Sequence, residues 1–339
     1  MYKCSDLRGY LSDGAYARTE KPVEQADNTD LLVDTRAIRN VGFGRTGIGP
    51  QRLKPGVTMK LPSCAAALIA AVLLASLAGA SRTSAAQAAD VRALPSVNME
   101  ATVKAAQIDP RRPDDTLTPG AKASVLLVER ALRDRRLLDA KWVDGYFGTT
   151  TVAAYAKYQK SLGLTGLDAN GLPGKTSLTR LGADRFKVTN IIDPGTRVST
   201  GGFVINTRTR SMLAEAQRLL GRDLELDQGS YNPGGDPTSA GTHDGGGVVD
   251  ISVTGMNSAT RTAVVRALRR AGFAAWVRSP RQGDWPWHIH AAAISDTSLS
   301  SQAQHQIGDY YLGLNGLTGR GPDDGPKVTI RTWEEYQRR

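Results

Sequence analysis

Three glycines running straight into an apolar stretch restrict this chain more than any other feature, in His243-Asp-Gly-Gly-Gly-Val-Val-Asp-Ile-Ser-Val253. Gly245 to Gly247 suit a flexible turn rather than a packed element. Val248 to Val253 is short, apolar and bounded by that turn, and it reads as a buried strand. Six residues separate His243 from Asp250, and the turn between them brings the two side chains together as the strand begins.

The surroundings supply the rest of a domain over residues 195–300. Met212, Leu213, Ala216, Leu219 and Leu220 form one apolar helix face ended by Gly221, and a second helix runs from Ser258 to Ala271 with Val264, Val265 and Leu268 inward. Leu224 to Leu226, Ala274 to Val277 and Trp287 to Ala292 read as further strands. Helices packed on a small antiparallel sheet make an α+β domain. In Trp287-His-Ile-His290 the period of two puts both histidines on one face of a strand.

The chain has four histidines, His243, His288, His290 and His305, and three of them fall into this pattern beside an aspartate. A lone buried histidine is more often a hydrogen-bonded core residue, and an aspartate at a strand start often only caps a turn. Their convergence shifts the balance toward a metal. A catalytic zinc ion needs three nitrogen or oxygen ligands and an open fourth position, which His243, Asp250 and His290 can supply. His305 stands apart and is expected to be structural.

Upstream, residues 119–183 carry a small all-helical module. Val125, Val128 and Leu132 recur at helical spacing, as do Ala154, Tyr155, Tyr158 and Leu162. Between them Val143-Asp-Gly-Tyr-Phe-Gly148 makes a turn, and Leu167-Asp-Ala-Asn-Gly-Leu-Pro-Gly174 introduces a third short helix. Residues 89–118, with Pro95, Pro110, Pro113 and a charged stretch, read as a linker. Residues 301–339 form a tail of unassigned role.

These two segments resemble known families. Asp144-Gly145, Phe147-Gly148, Thr151, Ala154, Tyr158-Gln159, Gly163-Leu164, Gly171, Gly174, Thr176 and Leu178 resemble the three-helix peptidoglycan-binding domain, with Glu129 where that family usually has Gln. The resemblance implies a wall ligand. Asp144, Tyr146 and Gln159 are the candidate contacts, although most matching positions are turn and core residues.

Ser239-Ala-Gly-Thr-His-Asp-Gly-Gly-Gly-Val-Val-Asp250 and Trp285-Pro-Trp-His-Ile-His290 resemble the zinc D-Ala-D-Ala carboxypeptidases and related wall endopeptidases, whose fold is shared with the hedgehog signalling domain. That likeness implies zinc on His243, Asp250 and His290, and hydrolysis of peptidoglycan stem peptides. The family commonly has its catalytic acid three residues before the last ligand, where this chain has Trp287. Asp284 is therefore the expected base, with His288 at the oxyanion. Ser239, Tyr231 and Arg278 are expected to meet substrate. Asn232 replaces the family's arginine after the tyrosine, which loosens any strict D-Ala-D-Ala specificity and leaves Arg278 and Arg281 as substitutes. The rival reading is a non-catalytic wall-binding protein with a structural zinc site.

Lys60 followed by the apolar run Ala65 to Ala78 and by Ala86-Gln-Ala88 reads as a signal peptide over residues 59–88, cleaved before Ala89. Residues 1–58 then look like an extension from a mis-set start. The expected product is a secreted, wall-associated monomer with no stable membrane insertion. Both cysteines, Cys4 and Cys64, precede that cleavage point, so neither disulfides nor thiol chemistry are expected. Lys and Arg number 43 against 33 Asp and Glu, a basic balance that suits an anionic wall polymer. No run of basic residues interleaved with aromatics points to nucleic acid.

Overall fold

The computed structural model describes residues 93–339. The expected signal peptide, the extension before it and both cysteines lie outside the described residues. A short strand β1 (Ser96–Asn98) leads into helix α1 (Met99–Ile108), whose first turn is capped by the Asn98 side chain accepting the Ala101 N–H. Helices α2 (Lys122–Asp134), α3 (Thr149–Ser161) and α4 (Lys175–Leu181) follow, and β2 (Lys187–Thr189) pairs in parallel with β1. The three helices fall where the apolar spacing put them, with Val125, Val128, Leu132, Tyr155, Tyr158 and Leu178 all buried.

The stretch marked as a linker is folded from Ser96 onward. Met99, Val103 and Ala106 recur at helical spacing between the prolines, and all three are buried in α1. Pro110 does not break this helix. It sits in the first turn of the 3-10 segment Asp109–Arg111 that follows, where its missing N–H has no cost. Charge pattern and proline content concealed a helix that is covered on nearly every side.

The second region begins with a hairpin, β3 (Arg197–Thr200) and β4 (Phe203–Asn206), whose turn residues Gly201 and Gly202 both have positive φ, as a tight two-residue turn requires. Helix α5 (Thr207–Leu220) is capped by Asn206 at one end and stopped by Gly221 at the other. Then come β5 (Leu226–Gln228), β6 (Val248–Ser252), helix α6 (Ser258–Arg270), β7 (Phe273–Arg278) and β8 (His288–Ala293). The sheet order is β5-β6-β8-β7, antiparallel throughout. Mixed helix and sheet in this arrangement agrees with the α+β expectation.

Alternation along the strands gives the sheet two different faces. Val249, Ile251, Ile289, Ala291, Ala275 and Phe273 pack with α5 and α6 in one apolar cluster. Val248, Ala274, Trp276 and Ala292 face the other way and join a cluster that also holds α7 (Ser301–Tyr311), α1 and the helices α2 to α4. The helical region and the sheet therefore share a continuous core.

The tail is part of this packing. Arg269 is buried on α6, where it donates to Ala275 O and to both oxygens of Asp323, at 3.0 and 2.7 Å. Glu334, on the final helix α8 (Trp333–Gln337), takes two 2.8 Å bonds from the buried Arg208. Removing Asp323 leaves the buried Arg269 without an acidic partner, at a cost of about 3–5 kcal/mol, whereas Arg208 would keep Asp296 at 3.9 Å.

Candidate metal centre

Register places the centre on the face of the sheet turned toward α7. Gln228 on β5, Asp250 on β6, His290 on β8 and Trp276 on β7 stand in one row across the strands. His288 is two residues from His290 on the same face, opposite Ser252 and Arg278. His243 reaches the row from the glycine turn. Close packing requires those glycines: a Cβ on Gly245 would lie 2.2 Å from Ser298 O, and one on Gly247 would lie 2.9 Å from Asp296, where φ is also +80°.

The ligand atoms of His243, Asp250 and His290 all lie within 4.8 Å of one another, and the three residues are buried. His243 Nδ1 donates to Gly229 O at 2.7 Å, and His290 Nε2 donates to Gln306 Oε1 at 2.8 Å. Because the outer nitrogen of each ring carries its proton toward an oxygen that only accepts, the inner nitrogens of the neutral rings present bare lone pairs. Those nitrogens face the Asp250 carboxylate, His243 Nε2 at 3.3 Å from Oδ2 and His290 Nδ1 at 2.8 Å from Oδ1. His243 Nε2 has no hydrogen-bond partner among the described residues.

Four acceptors facing one another in a buried place repel unless a cation stands among them. Either extra protons or a metal ion satisfies this geometry. Burial opposes ionisation of Asp250, yet a proton carried toward it by His243 or His290 holds the carboxyl far below the usual range. Burial pulls the His290 imidazole below its ordinary value, toward the unprotonated form that ligation requires, whereas for His243 burial is outweighed by the Asp250 carboxylate and Gly229 O, which raise it. His243, Asp250 and His290 could thus hold a metal ion, and Gly229 and Gln306 orient the two rings from behind.

The centre opens into a cavity of about 590 Å³. Ser239 lines it and donates to Gln228 Oε1 at 3.0 Å, and Arg278 and His288 line it as well. His288 Nδ1 donates to Pro286 O at 2.9 Å, which leaves Nε2 free to accept on the cavity side, 3.8 Å from Asp250 Oδ1.

Other expected residues fall elsewhere. Asp284 is exposed and absent from the cavity wall, because the loop after Gly283 directs Trp285 into the cavity instead. Arg281 is likewise exposed and outside it. Tyr231 adopts φ +58° and lies under Arg197 at 4.0 Å, away from the cavity. His305 lines the cavity rather than standing apart, so all four histidines converge on it. In the helical region Asp144 and Tyr146 border a separate groove with the exposed Trp142. Gln159 is no surface contact: it is buried, accepting from Gly171 N and donating to Leu172 O at 2.8 Å each.

Sequence reasoning missed Gln306, Arg111 and Asp236, all in the cavity wall. Gln306 lies on α7 and Arg111 just beyond α1, in segments read as tail and linker. The i, i+4, i+7 spacing of Ala303, Ile307 and Tyr310 was the available signal for α7. Compared with known proteins, the chain matches no family model, no curated protein and no solved structure.

Proposed function

We propose that this chain is a secreted zinc-dependent peptidase that hydrolyses peptide bonds of bacterial peptidoglycan stem peptides and is held on the wall by its helical region. One observation carries the catalytic part: two histidine lone pairs and a carboxylate converge at the floor of a cavity large enough for a short peptide. Nitrogen and oxygen donors in a set of three suit zinc with an open position. When bound there, zinc would bring the pKa of a water toward neutrality and polarise the scissile carbonyl.

The chain's own groups do the rest. Gly229 O and Gln306 Oε1 fix the ring orientations. Ser239 and Arg278 border the space for substrate, and the Trp285 side chain forms another wall. His288 replaces Asp284 as the proton carrier, since its free Nε2 faces the cavity in acceptor form while Asp284 faces solvent. Wall binding rests on the groove at Asp144, Tyr146 and Trp142, whose aromatic and acidic borders suit a glycan.

A second reading, a non-catalytic wall-binding protein with a structural zinc site, is favoured by the position of Asp284 outside the cavity. Metal analysis of the purified protein, combined with mass spectrometry of stem peptides after incubation, separates the two. About one zinc per chain with new peptide fragments supports the peptidase, zinc without fragments supports the second reading, and absence of zinc removes both.

A further inference from the structure

An extra residue in β5 decides what stands next to Asp250. Leu226 pairs with Ile251 and Gln228 with Asp250, two residues against one, which is a β-bulge. Regular antiparallel pairing would have set Asp227 opposite Asp250, carboxylate beside carboxylate. The bulge puts the Gln228 amide there instead, and side chains paired in this way stand about 4.5–5.5 Å apart at Cβ. Asp227 and Gln228 both line the cavity, while Leu226 packs in the apolar cluster on the other side of the sheet.

Gln228 has a donor without an acceptor. Its Oε1 takes the Ser239 hydroxyl at 3.0 Å, and its Nε2 is buried with no hydrogen-bond partner among the described residues. The acids around it do not take that N–H. Asp236 accepts from Thr238 N and Oγ1 at 2.8 and 2.7 Å, Asp250 stands between the two imidazoles, and Asp227 is exposed. A buried amide N–H without an acceptor is costly, and an arriving acceptor removes the cost. Two other unpaired donors in the cavity wall, Arg278 Nη2 and Trp285 Nε1, stand beside His288. Of the three, Gln228 alone is paired in register with a member of the centre.

We propose that Gln228 is a catalytic residue whose amide N–H donates to the scissile carbonyl oxygen as negative charge develops on it. The role rests on the peptidase reading above, in which His288 carries the proton and leaves the oxyanion without a donor from the protein. As the water oxygen bonds to the carbonyl carbon, its proton passes to His288 Nε2 and the carbonyl π pair moves onto the oxygen, where the Gln228 N–H donates. When the C–N bond breaks, that pair returns to the carbonyl and His288 hands its proton to the leaving amine. Position suits the role: the carbonyl must lie against the His243, Asp250 and His290 centre, and Gln228 adjoins Asp250 on the side away from His290.

The test follows Gln228→Leu, which removes the donor, and Gln228→Glu, which keeps the shape and exchanges donor for acceptor. Both should retain about one zinc per chain by elemental analysis, because the three ligands are untouched. On the stem-peptide bond that the wild type cuts, kcat should fall about 10²- to 10³-fold while KM stays within about 3-fold. A phosphinate analogue of that bond, whose tetrahedral oxygens mimic the charged state, should bind the variants about 10- to 100-fold more weakly in calorimetric titration. Variants that match the wild type in kcat and in phosphinate affinity overturn the role and leave the peptidase reading standing. A loss confined to zinc content or KM also overturns it, since that is what a packing role produces. Zinc-loaded wild type that cuts no stem peptide removes the peptidase reading and this role together. If Gln228→Leu does not fold, Gln228→Glu decides alone, because its side chain fills the same space.

Discussion

Two buried carboxylates in different regions of this protein take opposite charge states. Asp250, on the sheet, stands between two imidazoles and beneath a cavity, and it is held ionised despite its burial. Glu129, on α2, is fully buried with no cation beside it among the described residues, accepting from Gly145 N at 2.8 Å and from the Thr151 hydroxyl at 3.2 Å. Burial there pushes its pKa up to about 8, and the negative Asp144 adds to the effect. Depth alone does not set charge. What matters is whether cationic or coordinating partners converge on the group.

The strongest way to break this contrast is to remove a partner of Asp250. His290→Ala leaves two of three ligands, so it should lose both stoichiometric zinc, read by elemental analysis, and peptide cleavage. Full activity in a zinc-free His290→Ala protein would refute the centre.

Next in size is the proton carrier. His288→Ala should retain zinc while lowering turnover about 10²- to 10⁴-fold, whereas Asp284→Asn should cleave near the wild-type rate because that carboxylate faces solvent. The reverse ranking would return the role to Asp284.

A smaller effect is expected behind the centre. Gln306→Leu removes the acceptor of the His290 Nε2 proton and should weaken zinc binding about 10- to 100-fold in a competition titration with a chelating dye. An unchanged affinity would mean that Gln306 only packs.

The smallest effect belongs to the helical region. With a pKa above its unfolded value, Glu129 binds a proton in the folded state that the unfolded chain has released. Its contribution is therefore intact below about pH 4.5 and declines as pH rises toward about 8. Glu129→Gln keeps the shape and an acceptor without the charge, and should raise stability by about 1–3 kcal/mol at pH 8 with little gain at pH 4. Denaturant titrations at the two pH values measure this. A gain of equal size at both would show that charge is not the cause.

Much of this architecture is legible before any coordinates. The helix faces of α2, α3, α5 and α6 and the strands β6, β7 and β8 follow from apolar period, because each buries one recurrent face. The triad was legible for a related reason: the glycine turn tethers His243 to Asp250, and period two places His288 and His290 together. α1 was hidden, since its polar and charged neighbours Glu100, Lys104 and Gln107 dilute the pattern, and Glu100 is buried only through Thr332 and Arg338 more than two hundred residues away.

What the chain determined by itself is local: element type, turn chemistry and the ligand set, all of which depend on spacing over a few residues. Tertiary structure alone decided which groups surround that set. Gln306 reaches His290 only because α7 crosses the sheet, and Arg278 loses its solvent only because the loop at Asn315 closes over it. Asp284 drops out because its loop turns Trp285 inward in its place. Each of these outcomes depends on long-range packing, which sets solvation and partner geometry, and neither quantity is encoded in the spacing of neighbouring residues.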